Sequence, residues 1–204
     1  DSTLITIECV DEIADFAGRK QEVAAITEAA MRGEIADYDE SLRRRVALLK
    51  GLPESVLHQV WTERVRLSPG AQQLVRAMKA AGLQILLVSG GFSFFTQRLS
   101  TLLGIEHVRS NTLEIREGSL TGQLLGPIVN ARVKRETLEL TARRMGVSLD
   151  KTIAIGDGAN DLEMMSIAGL SVAYRAKPLV RSETTHAINH CGLDSLLRLF
   201  EDSR

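Results

Sequence analysis

Two apolar runs, LQILLVSGGF and TIAIGDGANDLEMM, constrain this 204-residue chain more than anything else in it. Each packs aliphatic residues with no polar alternation, meets glycine, and passes into a helical pattern. Such a run is expected of a strand buried on both faces. The preceding AQQLVRAMKAAG reads as a helix ending at Gly82, and FSFFTQRLSTLLG and ANDLEMMSIAG read as the helices after the two strands. LSVAY supplies a third strand. Strand, loop and helix in repetition predict a parallel sheet covered on both faces. NTLEIREGSLTGQLLG alternates instead, around Glu117-Gly118, and predicts a hairpin. The fold class is therefore α/β, with a Rossmann-like parallel sheet.

From about residue 8 to 66 the texture is different. EVAAITEAAMRGE is closed by Gly33, and DESLRRRVALLKGLP carries Leu42, Val46 and Leu49 on one face and stops at Gly51 and Pro53. ESVLHQVWTERVRL adds another helix. Helices without intervening strands predict a helical module, 8–66, set into an α/β core of 1–7 and 67–204.

Several function classes are disfavoured. A net charge of -1 gives no basic excess for a nucleic-acid partner. No apolar run approaches the ~20 residues of a membrane helix. Cys9 and Cys191 lie at opposite ends of the chain, which suits a reduced, cytoplasmic protein with both thiols as small core residues. The four histidines show no metal-ligand spacing; His186 and His190 read as a surface pair. No G-x-G-x-x-G follows a strand, so a dinucleotide site is not expected.

In open parallel sheets, ligands bind at the carboxyl ends of the strands. In GDGAND, Asp157 sits there between two glycines, with Asn160 and Asp161 one turn on. Carboxylates this close repel, and a hard cation such as Mg²⁺, taking one or two carboxylates plus waters and a phosphate, compensates them. Helix capping alone needs one such residue. Ser89-Gly90-Gly91 ends the other strand, where backbone N–H groups and a hydroxyl suit an anion, although Ser-Gly-Gly equally suits a plain turn. Lys134 could neutralise phosphate or be a surface lysine. Of Arg43, Arg44 and Arg45, about 100° apart on a helix, at most one or two can face a cleft.

Together these residues resemble the haloacid dehalogenase superfamily of phosphotransferases and, within it, the phosphoserine phosphatase family. DSTLI matches the second half of that family's D-x-D-S-T motif, LLVSGGF its second motif, Lys134 its third and GDGANDLEMM its fourth. EAAMRGEIADYDESLRRRVALLKGL resembles the family's helical cap. The resemblance implies phosphoserine as substrate and Mg²⁺ as cofactor. It implies Asp1 as general acid/base, with its carbonyl on the metal, Asp157 as metal ligand, and Asp161 holding the metal's waters. Ser89, Gly90 and Lys134 would cradle the phosphate, with Asn160 nearby. Glu8 would pair the substrate ammonium and Arg45 its carboxylate. Met31 and Tyr38 would close the cap over the substrate, helix packing being the other reading of both. A homodimer and an upstream regulatory domain are compatible with it.

The departure from the family pattern is at the start. The family nucleophile is the first Asp of D-x-D, two residues before Asp1, at the end of a strand central to the sheet. Neither is in this sequence, so the expectation is a longer protein with that strand upstream; without it, two strand edges would lie open. The rivals are a phosphatase of another small substrate within the superfamily and a non-catalytic phospholigand-binding relative. A cation-pump phosphorylation domain shares G-D-G-x-N-D, but the cap resembles a different family.

Overall fold

The fold is that of a computed structural model, which describes residues 1–32, 34–35 and 37–201, without the side chains of Met31 and Glu201. Gly33, the expected helix stop, lies outside the described residues.

Four helices come first: α1 (Cys9–Phe16), α2 (Lys20–Met31), α3 (Tyr38–Ala47) and α4 (Ser55–Glu63). Each buries an apolar stripe, as with Cys9, Val10 and Ile13 in α1 and Leu42 and Val46 in α3. Asp37 caps α3, its side chain accepting from the Asp39 N–H. These stripes do not form a separate core. They share one cluster with Phe92, Phe95, Leu113 and Leu120 from the sheet region, which ties the helices to the site described below.

The α/β part runs α5 (Ala71–Ala80), β1 (Leu86–Phe92), α6 (Ser93–Leu103), β2 (His107–Arg116), β3 (Ser119–Leu125), α7 (Ala131–Arg144), β4 (Ile153–Gly156), α8 (Leu162–Met165), β5 (Leu170–Tyr174), α9 (Pro178–Ser182), β6 (His186–Ile188) and α10 (Arg198–Glu201). β1 and β2 pair in parallel, Leu86 opposite His107. β2 and β3 form the expected hairpin, with Arg116 opposite Ser119. Its two loop residues, Glu117 and Gly118, have φ of 50° and 73°. Positive φ at both central positions is the tight turn whose twist matches that of the strands.

The strands form two sheets of three, β1-β2-β3 and β4-β5-β6, with the open edges that the family resemblance led one to expect. β1 and β4 are edge strands, and both line one cavity of about 1030 Å³. That explains a discrepancy in burial. Leu86, Leu87 and Val88 read as fully buried, yet they are only half-buried, because they face the cavity rather than a neighbouring strand.

Two further differences stand beside it. The helix expected over 159–169 is a 3₁₀ turn, Ala159–Asp161, followed by the single turn α8. The Asp161 carboxylate reaches back to the N–H groups of Asp157 and Gly158, which tightens the start. Cys191 is exposed, not a core residue, whereas Cys9 is fully buried. His186, on β6, and His190 are exposed, as expected.

Candidate active site

The carboxyl ends of β1 and β4 open on the same cavity, and the loops there fix its chemistry. At β1, Ser89 is buried, and its hydroxyl oxygen accepts from the Gly91 N–H at 2.9 Å. Asn111 of β2 holds the adjacent loop from both sides: its amide donates to the Gly90 carbonyl at 2.7 Å, and its oxygen accepts from the Val129 N–H at 2.8 Å. The glycines here are demanded by neighbours. A Cβ on Gly91 would sit 2.8 Å from Asp1 Oδ1, and one on Gly90 would collide with the Tyr38 hydroxyl. An acidic side chain and a phenol from α3 therefore converge on one glycine pair.

Asp1 is positioned by the start of α1. Its Oδ2 accepts from the Cys9 N–H at 3.0 Å, and its Oδ1 lies 3.3 Å from the Cys9 thiol. The same segment reaches β4, where the Thr3 hydroxyl donates to Asp157 Oδ1 at 2.6 Å. Asp157 is held above the usual carboxylate range, first by burial; Thr3 opposes the shift and Asp161 adds to it. Asp161 is sealed from water and fully engaged. Its Oδ1 takes Lys134 Nζ at 2.7 Å, and its Oδ2 takes two backbone N–H groups at 3.1 Å each. Lys134 reaches it from α7, whose N-cap Asn130 also donates to Asp39 of α3.

At the cap end, the Ser2 hydroxyl donates to Glu8 Oε1 at 2.5 Å. Arg45 is half-buried on the cavity wall with Nε 3.4 Å from the Ser41 carbonyl, and among the described residues the terminal nitrogens of its fork make no hydrogen bond. Arg43 and Arg44 are exposed, and Arg44 pairs with Glu40 one turn back. Only one member of the triplet therefore looks inward. Burial pushes the Tyr38 phenol up, while Lys134, Arg45 and a hydrogen bond with Asn160 pull against it.

Asp1, Glu8, Tyr38, Arg45, Ser89, Gly90, Lys134, Asp157, Asn160 and Asp161 thus all line the same cavity. The Met31 side chain lies outside the described residues. Among the described residues, no group of three or more His, Cys, Asp or Glu is spaced to hold a metal ion by itself. A metal here would draw on Asp157 with backbone, water or ligand oxygens.

Sequence reasoning missed Thr3, Asn111 and Asp11. Thr3 was within reach, since a hydroxyl beside a conspicuous Asp deserved a role. Asn111, in an alternating strand, looks like any outward polar residue. Asp11 carries a buried oxygen with no hydrogen-bond partner on the cavity wall.

Chemically, one end of the cavity offers an acid, a buried lysine, a serine hydroxyl and glycine amides, which is a phosphoryl-binding set. The other offers a carboxylate and a guanidinium, which suit a small zwitterion.

Known proteins are similar to this chain in sequence and fold. The family model for haloacid dehalogenase-like hydrolases matches residues 1–166. A phosphoserine phosphatase of Polaromonas sp. (strain JS666 / ATCC BAA-500) is 60% identical over 203 residues, covering 98% of this chain and 86% of the relative. Two solved structures, a substrate-bound phosphoserine phosphatase and a phospho-aspartyl intermediate analogue of phosphoserine phosphatase, each superpose with a TM-score of 0.91. Each is 37% identical and covers 98% of this chain and 94% of the other.

Proposed function

This chain belongs to the haloacid dehalogenase-like hydrolase family, and from that premise we infer that it is a phosphoserine phosphatase, hydrolysing O-phospho-L-serine to L-serine and phosphate. One observation carries the reading. A single cavity joins a phosphoryl-binding end, Ser89, Gly90 and Lys134, to an amino-acid end, Glu8 and Arg45. The helices over 8–66 act as the cap that excludes water and reads the amino acid.

The residues divide the work as follows. Lys134 and the Ser89 loop take the charge of the phosphoryl oxygens. Arg45 takes the substrate carboxylate with the terminal nitrogens of its fork, and Glu8 takes the ammonium. Asp1 donates a proton to the serine oxygen as the P–O bond breaks. It then removes one from the water that attacks phosphorus in the second half of the cycle. Tyr38, against Gly90, closes the site from the cap.

Mg²⁺ fits the donor set, because Asp157 is a half-buried carboxylate facing a second carboxylate and held above its usual range chiefly by burial. Asp157 would hold the ion, with Asp161 and the Asp1 carbonyl supporting it. When bound, the ion neutralises charge developing on the phosphoryl group.

The nucleophile in this reading is a carboxylate, which takes the phosphoryl group as the serine oxygen leaves. Losing the nucleophile of another enzyme costs roughly 10⁶ in kcat. Intact mass of enzyme quenched during turnover tests it: a phosphoryl adduct is expected, and its absence would falsify the covalent route.

The substrate is tested at the other end. Glu8→Gln and Arg45→Met should each raise KM for phosphoserine at least about tenfold, with far less effect on a generic aryl phosphate. Equal losses on both substrates would remove the amino-acid reading in favour of another phosphomonoester. Among the described residues no helix is long and apolar enough to cross a membrane. We read the enzyme as cytoplasmic, in keeping with a small charged substrate.

A further inference from the structure

Among the described residues, one oxygen of Asp11 has no hydrogen-bond partner. Asp11 stands in the first turn of α1, three residues after the N-cap Glu8, and both side chains line the cavity beside Arg45. Its Oδ1 is stripped of water and makes no hydrogen bond. A carboxylate in the first turn of a helix ordinarily serves the N-terminus. Here no side-chain cap bond is made, so the backbone does not claim it. Among the described residues Arg45 makes no hydrogen bond to it, its Nε being turned to the Ser41 carbonyl. Burial, with Glu8 adding, pushes the Asp11 carboxyl above its usual range, and Arg45 only partly offsets this. A half-buried carboxylate with one oxygen sealed from water, near a second carboxylate, favours a cation in the cavity.

The proposed substrate brings one. An ammonium has three N–H donors. Glu8 cannot satisfy all of them, since its Oε1 already accepts from Ser2. We propose that Asp11 is a second ammonium-binding carboxylate of the amino-acid end, a specificity-determining residue that rejects phosphomonoesters lacking the α-amino group. This rests on the phosphoserine reading above. It assigns the ammonium to two acceptors, the N-cap Glu8 and Asp11 in the first turn of α1, and leaves the substrate carboxylate to Arg45 alone.

The experiment uses the full-length enzyme and its Asp11→Asn variant, which keeps the shape and removes the charge. Three substrates are compared: O-phosphoserine, its des-amino analogue 3-phosphooxypropanoate, and its des-carboxy analogue phosphoethanolamine. The expected result is a drop in kcat/KM of about ten- to a hundredfold for phosphoserine and for phosphoethanolamine, carried by KM, with the des-amino analogue unchanged or improved. Loss on phosphoserine and the des-amino analogue, with phosphoethanolamine spared, would mean that Asp11 acts through Arg45, and would overturn the proposal. So would an equal loss on all three, or no loss on any. Wild-type enzyme that fails to prefer phosphoserine to its des-amino analogue would instead overturn the amino-acid reading itself. Asp11→Glu should recover part of the ammonium preference, which a purely structural role would not give.

Discussion

Lys134 Nζ lies 2.7 Å from Asp161 Oδ1, and both side chains are almost wholly withdrawn from water. The pair ties α7 to the loop after β4, while Asp161 also gathers the N–H groups of Asp157 and Gly158. Removing one member leaves a buried charge uncompensated, which typically costs 3–5 kcal/mol, about as much as a small domain can lose. Lys134→Met is therefore expected to lower unfolding free energy by roughly that amount and to abolish turnover. Asp161→Asn should cost less stability, because an amide oxygen still accepts from the backbone. Urea unfolding of both variants checks the order; a Lys134→Met protein as stable as wild type would show that the pair is solvated.

Asn111 makes a second prediction. It is 2% exposed and joins the Gly90 carbonyl to the Val129 N–H. Asn111→Leu keeps the approximate volume but leaves two buried backbone groups unpaired, at about 1–3 kcal/mol each. Because Gly90 belongs to the phosphoryl-binding loop, kcat should fall alongside stability. Asn111→Asp keeps the acceptor for Val129 and loses the donor to Gly90, so it should affect kcat more than the melting temperature. Steady-state kinetics and thermal unfolding on the two variants separate these effects.

How much of this was legible beforehand follows from where each residue's partner lies. Asp157, Asn160 and Asp161 were legible because the chemistry is local: three polar residues and two glycines in one turn admit few explanations. Ser89, Gly90 and the hairpin at Glu117-Gly118 were legible for the same reason. Thr3 and Asn111 were not, because their partners are 154 and 21 residues away along the chain. Lys134 drew a site role only from the family resemblance; nothing in ARVKRE separates the lysine that burial selects from the arginines beside it. The two open edges, β1 and β4, followed from the family resemblance and not from local pattern. An aliphatic run says that a strand wants burial, not whether a neighbour or a cavity lies on its open edge.

The glycine pair gives a third prediction. A methyl on Gly91 would press on Asp1 Oδ1 at 2.8 Å, and one on Gly90 would press on the Tyr38 hydroxyl. In both cases the obstacle is the far end of a side chain, so the fold should survive. The function should not survive equally. Gly91→Ala moves the acid, and misplacement by about 1 Å can cost a hundredfold. Gly90→Ala displaces a residue of the cap, and Tyr38→Phe in the same chain should return much of the lost activity by removing the clashing oxygen. If Gly91→Ala and Gly90→Ala are equally active, Asp1 does not have the role assigned to it.

The two thiols give the last prediction, with its pH dependence. Cys191 is exposed, and Cys9 is fully buried with its thiol against Asp1. Burial above all pushes Cys9 up from 9.0 to about 12. The thiolate is the reactive form, so in native protein at pH 8 a thiol reagent should modify one cysteine per chain quickly. The second should react only as the structure opens. Two fast thiols without denaturant would contradict the burial of Cys9. The sign of the stability effect follows from proton counting. Between pH 9 and about 12 the unfolded chain has released the Cys9 proton and the folded chain has kept it. Folding therefore takes up a proton in that window, and this contribution to stability is intact below pH 9 and declines as pH rises through it. Cys9→Ala should make the alkaline decline shallower while costing some stability at neutral pH through lost packing. Urea titrations of the two proteins at pH 8 and pH 10 measure the difference, and an equal decline in both would assign the alkaline loss to other groups.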